Sequence, residues 1–285
     1  MKITLLGTGG PIPDPRRAGP STLVTADGLR ILVDCGRGVL MRLAAAGAFP
    51  MMLDAVFVTH LHSDHITDLG DVITTNWVMS PVPRTLHVYG PPGLGEVVQH
   101  TLASLAPDVR YRMAHHADLG QPPDVSVTEI EPGARFEVGP ASIRVAATVH
   151  KPVEPTVAFR IDLDGRSVVL GGDGIPCDGL DEVCRGADAY VQTVLRDDLV
   201  RSIPSQRFQD VLDYHSTIEQ AAQTAARGGV RVFVPTHFIP GLAPGTEEQW
   251  RQLAAAHFDG DIVVGDDLTV VDLTVVDRTS LPNPS

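Results

Sequence analysis

The segment His60-Leu61-His62-Ser63-Asp64-His65 constrains this chain more than any other. Three imidazoles and one carboxylate fall within six residues, directly after the apolar run 55–58 and before a stretch, 66–78, whose periodicity predicts a helix. A strand end that runs into a helix start aims neighbouring side chains into one small volume. Imidazole and carboxylate donors without a nearby thiolate suit Zn²⁺, and suit Mn²⁺ or Fe²⁺ less exclusively. A polar loop with incidental histidines is the alternative, but it gives no reason for this spacing at a strand–helix junction.

Strand and helix signals alternate along the rest of the chain. Strands are expected at 3–6, 22–25, 30–33, 86–89, 125–130, 135–138, 141–147, 156–161, 167–170, 189–192 and 230–234, with two closing strands near Ile262 and Leu268. Asp27-Gly28 and Asp164-Gly165 read as hairpin turns. Helices are expected at 38–46, from Pro91-Pro92-Gly93 through about Leu105, at 217–226 and at 247–257. Residues 107–123, which include His115 and His116, read as an irregular polar segment, a lid or a surface loop, and Arg278 to Ser285 as a frayed tail. Strands followed by helices, twice over and without a linker, imply an α/β chain. The expected form is a four-layer αββα sandwich with one domain over 1–273 and a tail over 274–285.

Charge narrows the partners. The net charge is −13 and there are only two lysines, Lys2 and Lys151, so no basic face for non-specific nucleic-acid binding is evident. No run of about 18 apolar residues suggests a membrane span. The first residues read as a strand rather than a signal peptide. Three cysteines, Cys35, Cys177 and Cys184, make no disulfide framework. A cytosolic protein is expected.

The histidine motif, taken with Leu6-Gly7-Thr8-Gly9-Gly10 and Val33-Asp34-Cys35-Gly36, resembles the metallo-β-lactamase superfamily. Gly19-Pro20-Ser21, His150 after a strand, Gly172-Asp173 and Asp213-Tyr214-His215-Ser216-Thr217 are similar to its ribonuclease Z and zinc phosphodiesterase branch, over about residues 1–273. The resemblance implies two metal sites, with His60, His62 and His150 at one ion, Asp64, His65 and His237 at the other, and Asp173 bridging both. Independently of the family, His150, Asp173 and His237 each lie just past an apolar strand, where a sandwich presents residues along one rim. Two ions about 3.5–4 Å apart activate a water and clamp a substrate oxygen. Candidates to orient the imidazoles are Asp34, Thr59 and Ser63, and Asp34 is equally readable as a strand-end cap. The resemblance gives His215 a catalytic part, on the developing charge or the leaving oxygen, against a purely structural part at its helix start. Asp64 is a second catalytic candidate, as a proton shuttle. Weaker candidates are Cys177 near a metal, His115 and His116 at an entrance, and Trp77, Met79 and Phe238 as an apolar wall.

Three departures from the branch bear on substrate. The interval from His150 to Asp173 is only 23 positions long, which leaves no room for the long basic arm of enzymes that process tRNA precursors. Gly174 stands where the branch usually has threonine, and Thr193 where a glutamate usually orients the catalytic histidine. Long tRNA is therefore disfavoured. The expectation is a dizinc hydrolase of small phosphodiesters or cyclic nucleotides. The alternatives are a lactone, aryl sulfate or β-lactam hydrolase with the same metals, a tRNA 3′-end endonuclease, and a non-catalytic metal-stabilised binding protein. The resemblance also implies a homodimer.

Overall fold

The structure, a computed structural model, describes residues 1–275, so the tail expected at 278–285 lies outside the described residues. Fourteen strands are described: β1 (Lys2–Gly7), β2 (Ser21–Ala26), β3 (Leu29–Val33), β4 (Ala55–Phe57), β5 (Thr85–Gly90), β6 (Asp124–Glu129), β7 (Arg135–Val138), β8 (Ala141–Ala147), β9 (Val157–Leu163), β10 (Arg166–Leu170), β11 (Ala189–Leu195), β12 (Val232–Ile239), β13 (Asp261–Ile262) and β14 (Val270–Asp272). They form two sheets, ordered β14-β1-β2-β3-β4-β5-β6 and β13-β12-β11-β10-β9-β8-β7. The helices are α1 (Val39–Ala45), α2 (Ser63–Ile66), α3 (Leu69–Met79), α4 (Leu94–His115), α5 (Asp178–Cys184), α6 (Asp197–Ser202), α7 (Gln206–Gln209), α8 (Ile218–Gly228) and α9 (Glu247–Ala255).

The strand alternation of the sequence becomes the layering. Ile31 and Val33 of β3 and Ala55 and Phe57 of β4 face the second sheet, where they meet Val168, Leu170, Ala189, Val191, Val232 and Val234. The residues between them face outward: Leu32, Val56 and Val58 pack under α1 and α3, while Val169, Tyr190 and Phe233 pack under α5, α8 and α9. Three apolar layers between four structural layers are the αββα sandwich expected from the sequence. Among the described residues, no helix is long and apolar enough to cross a membrane.

Two expectations need correction. Residues 107–115 continue α4, with Pro107 inside it. The carbonyl that loses its N–H partner belongs to Ala103, an exposed residue, so water can satisfy it and the helix continues. The helix expected over 66–78 is two pieces. Asp68 turns the chain between α2 and α3: its N–H donates to the Cys35 carbonyl at 3.0 Å, and its carboxylate accepts from Gly38 N–H at 2.5 Å.

Strands β3 and β4 run parallel, as do β10, β11 and β12, and β8 is antiparallel to β9, which is antiparallel to β10. The carboxyl ends of β3, β4, β8, β10, β11 and β12, and the start of β9, share one rim of the sandwich. The two sheets are tied there by Val157 N–H donating to the Thr59 carbonyl at 3.0 Å.

Candidate metal centre

Each chemistry-bearing residue sits at a carboxyl end of that rim. Past β4, Val58-Thr59 lead to His60; His62 caps α2, whose first turns carry Asp64 and His65. His150 follows β8, and Asp173 follows β10. His237 lies within β12 at φ 47°, where the pairing with β11 is irregular, so its side chain leaves the strand's regular alternation. Two glycines let the backbones come this close. A Cβ on Gly36 would lie 2.4 Å from the Gly19 carbonyl carbon and 2.7 Å from the Asp64 carbonyl oxygen. Gly172 has φ +63°, and a Cβ there would lie 2.9 Å from Thr59 Cβ. Cys35 N–H donates to the His65 carbonyl at 2.7 Å, which fixes α2 against the Asp34-Cys35-Gly36 turn.

The side chains meet in two groups, His60, His62, His150 and Asp173 in one, and Asp64, His65 and His237 in the other. His62 Nδ1 is 3.1 Å from His60 Nε2 and 3.2 Å from His150 Nε2. His237 Nε2 is 3.1 Å from Asp64 Oδ2. Ligands around one tetrahedral ion stand about 3.3 Å apart, so these spacings suit shared ions. Asp173 Oδ2 is 3.7 Å from His60 Nε2, 3.7 Å from His150 Nε2, 3.5 Å from His65 Nε2 and 3.7 Å from His237 Nε2. A single carboxylate oxygen thus stands between the two groups.

Hydrogen bonds on the outer nitrogens set the tautomers. Thr59 Oγ1 donates to Asp34 Oδ2 at 2.9 Å, so it accepts from His60 Nδ1 at 3.0 Å. His65 Nδ1 donates to Asp34 Oδ2 at 2.9 Å, and His150 Nδ1 donates to the Tyr214 carbonyl at 2.8 Å. Each leaves a bare Nε2 pointing inward. His65 Nε2 is buried and has no hydrogen-bond partner, a cost that a bound cation would remove. The donor set and this orphaned nitrogen fit divalent metal ions.

Proton affinities divide along the same line. Burial holds His60 well below the ordinary imidazole range, lowers His62, and takes His150 down to about 4. Burial opposes the charged form of His65 too, but Asp173 and Asp34 outweigh it and hold that imidazole well above its usual value. His237 is raised against its burial by Asp173 and the Asp64 contact. Asp64 and Asp173 are held low despite burial, the first by His237 and His65, the second by His237, His65 and His215.

His215 lies beside both groups, its Nε2 3.2 Å from Asp173 Oδ2 and its Nδ1 3.1 Å from the Val211 carbonyl. Sequence reasoning missed how this ring and Asp173 are held. Thr193 Oγ1 donates to Asp173 Oδ1 at 2.6 Å, leaving Oδ2 to face the histidines, while a backbone carbonyl rather than a carboxylate braces His215. Gly174 contributes through its carbonyl, which accepts from Ser216 N–H at 2.9 Å and Ser216 Oγ at 2.8 Å. Thr217 caps α8 with a capping box through Gln220.

Several weaker candidates fall elsewhere. Ser63 is exposed and, among the described residues, bonds none of the donors through its side chain. Cys177 directs Sγ at the Ala147 carbonyl, 3.6 Å away, and joins neither group. His115 and His116 are exposed at the end of α4 and meet edge to face. Trp77 is buried with its Nε1 donating to the Gln121 carbonyl and Met79 is exposed, whereas Phe238, next to His237, packs on Trp250 and lines a cavity beside the site.

Residues 29–238 match the Beta-lactamase superfamily domain. The chain is 57% identical over 270 residues, 94% of its length and 96% of the relative's, to a protein named Ribonuclease Z from Mycobacterium avium (strain 104). Among solved structures it resembles the metallo-β-lactamase fold protein YhfI from Bacillus subtilis (TM-score 0.74, 23% identity, 95% of this chain and 98% of that one). It also resembles the short form of human tRNase Z (TM-score 0.70, 22% identity, 96% and 99%), and both likenesses speak for the fold alone. The chain belongs to the metallo-β-lactamase superfamily and, within it, to the ribonuclease Z family, and it is a metal-dependent hydrolase.

Proposed function

We propose that the enzyme is a phosphodiesterase that holds two zinc ions and acts on small phosphodiesters. The observation that carries the reading is the position of His215, whose Nε2 stands 3.2 Å from the one carboxylate oxygen shared by both donor groups. The alcohol of a phosphodiester leaves as an alkoxide and gains from a proton donor beside it.

In this reading His60, His62 and His150 would hold one ion and Asp64, His65 and His237 the other, with Asp173 within reach of both. Two such ions supply a nucleophilic water at neutral pH and a clamp for a non-bridging oxygen. The chain's own residues do the rest. Asp34 and Thr59 fix the rings of His65 and His60, and Thr193 fixes the plane of the Asp173 carboxylate. The Val211 carbonyl accepts from His215 Nδ1, which keeps Nε2 turned to Asp173 Oδ2, the position from which it would give a proton to the leaving oxygen. Asp64 is held at low proton affinity, which suits a ligand better than a base.

A second reading, cleavage of a tRNA 3′ end, is favoured by the names of the relatives. The interval between His150 and Asp173 holds the β9–β10 hairpin and nothing resembling a flexible arm, which favours the smaller substrates. The test is turnover after zinc reconstitution on bis(4-nitrophenyl) phosphate, cyclic nucleotides, an aryl sulfate, a lactone and a tRNA precursor with a 3′ trailer. The diesters should be fastest, and His215→Ala should slow the cyclic nucleotides, whose leaving oxygen is an alkoxide, by about a hundredfold or more while keeping the metals. Fastest turnover of the lactone, the sulfate or the trailer would contradict the proposal.

A further inference from the structure

We propose that a cavity beside His215 and His237 receives the aryl half of the substrate, so that aryl phosphodiesters are the preferred class; this rests on the phosphodiesterase reading. The cavity, about 260 Å³, lies between residues 9–12, residues 205–211 and the end of β12. It abuts the donor groups at two points. Gly10 lines it and sits against the His237 ring, where a Cβ would lie 3.1 Å from Cε1. Val211 lines it while its carbonyl holds His215 Nδ1. The cavity therefore lies next to His237 on one side and next to the residue that braces His215 on the other.

The walls select the occupant. Phe208, Val211 and Phe238 supply apolar surface, and Ile12 is 63% exposed at the cavity despite being aliphatic. An apolar cavity of about 150 Å³ is enough for a benzene ring, so a substituted ring fits here. Arg17 also lines the cavity, nearly buried, with its guanidinium 5.8 Å from the Phe238 ring centre and its Nε buried without a partner. Asp14, Ser205 and Arg207 complete the lining on its polar side. An aryl group matches the apolar walls. A larger cleft of about 570 Å³ lies at the opposite end of the second sheet, where Asp162 and Asp188 engage the arginines, and it has no connection with the donors.

Gly241 gives the test. It lines the cavity, and a Cβ there meets no atom within 4 Å, so Gly241→Phe fills the space without a clash at its first carbon. Calorimetry on the zinc-loaded enzyme compares 1-naphthylphosphonate with methylphosphonate, two anions that differ in the apolar group. The wild type should bind the naphthyl compound about tenfold or more tightly, and Gly241→Phe should remove that preference while changing methylphosphonate affinity by less than about twofold. Ile12→Asp, on an exposed loop, should weaken the naphthyl compound selectively as well. Equal affinities in the wild type, no binding of either compound, or a preference that survives both substitutions would overturn the proposal. A naphthyl preference lost in Gly241→Phe, with no turnover of bis(4-nitrophenyl) phosphate, would support the cavity and overturn the phosphodiesterase reading instead.

Discussion

Before any ion arrives, the buried imidazoles already differ in where their protons sit. His60, His62 and His150 have their proton affinity lowered because burial penalises the cation, whereas Asp173, Asp34 and Asp64 raise that of His65 and His237 against their burial. The higher a ligand's proton affinity, the more proton a cation must displace to bind it. Zinc entry at the Asp64–His65–His237 group should therefore release protons, and entry at the His60–His62–His150 group should release almost none. Titration in buffers of different ionisation enthalpy reads this directly; an enthalpy independent of buffer would contradict it. Thr193 offers a second test. Thr193→Val leaves Asp173 Oδ1 without its donor and should weaken zinc binding by about tenfold or more, with Thr193→Ser restoring it. An unchanged zinc affinity would remove Thr193 from the account. The donors themselves were legible because each follows an apolar strand. The bracing of His215 was not, since it comes from the Val211 carbonyl, and a backbone oxygen leaves no mark on residue identity.

Elements place these groups through close backbone contacts. The turn Asp34-Cys35-Gly36 holds α2 through the Cys35–His65 hydrogen bond and the approach of Gly36 to Asp64 and Gly19. Gly36→Ala should cost about 1–3 kcal/mol in urea unfolding, because backbone rather than flexible side chain must yield, and should lower zinc occupancy with it. Wild-type stability and occupancy would show that the contact relaxes freely. Element type was readable from periodicity in nearly every strand of both sheets. Boundaries failed where tertiary contacts override local signals. Pro107 reads as a helix stop but is tolerated on an exposed face, and Asp68 interrupts a helical pattern because Gly38 and Cys35 offer it better hydrogen bonds. The strand expected to end at Val234 runs on to Ile239, so His237, with φ 47°, lies inside β12 rather than past it.

Across the whole molecule, the alternation of inward and outward apolar residues builds two sheets, and parallel pairing brings the carboxyl ends of β3, β4, β8, β10 and β12 to one rim. Residues separated by up to 177 positions in the chain, His60 and His237, meet there in adjacent groups. That convergence was foreseeable from strand ends together with the family resemblance. The cavity between residues 9–12 and 205–211 was not, because its walls come from two loops without regular periodicity. The central claim is that these seven donors hold two ions on which hydrolysis depends. The direct measurement adds zinc stepwise to metal-free enzyme while following bis(4-nitrophenyl) phosphate turnover and bound metal together. Activity should begin near zero and level off at two ions per chain, and Asp173→Ala should lose both capacity and rate. Full turnover without metal, or a plateau in Asp173→Ala equal to that of the wild type, would contradict the account.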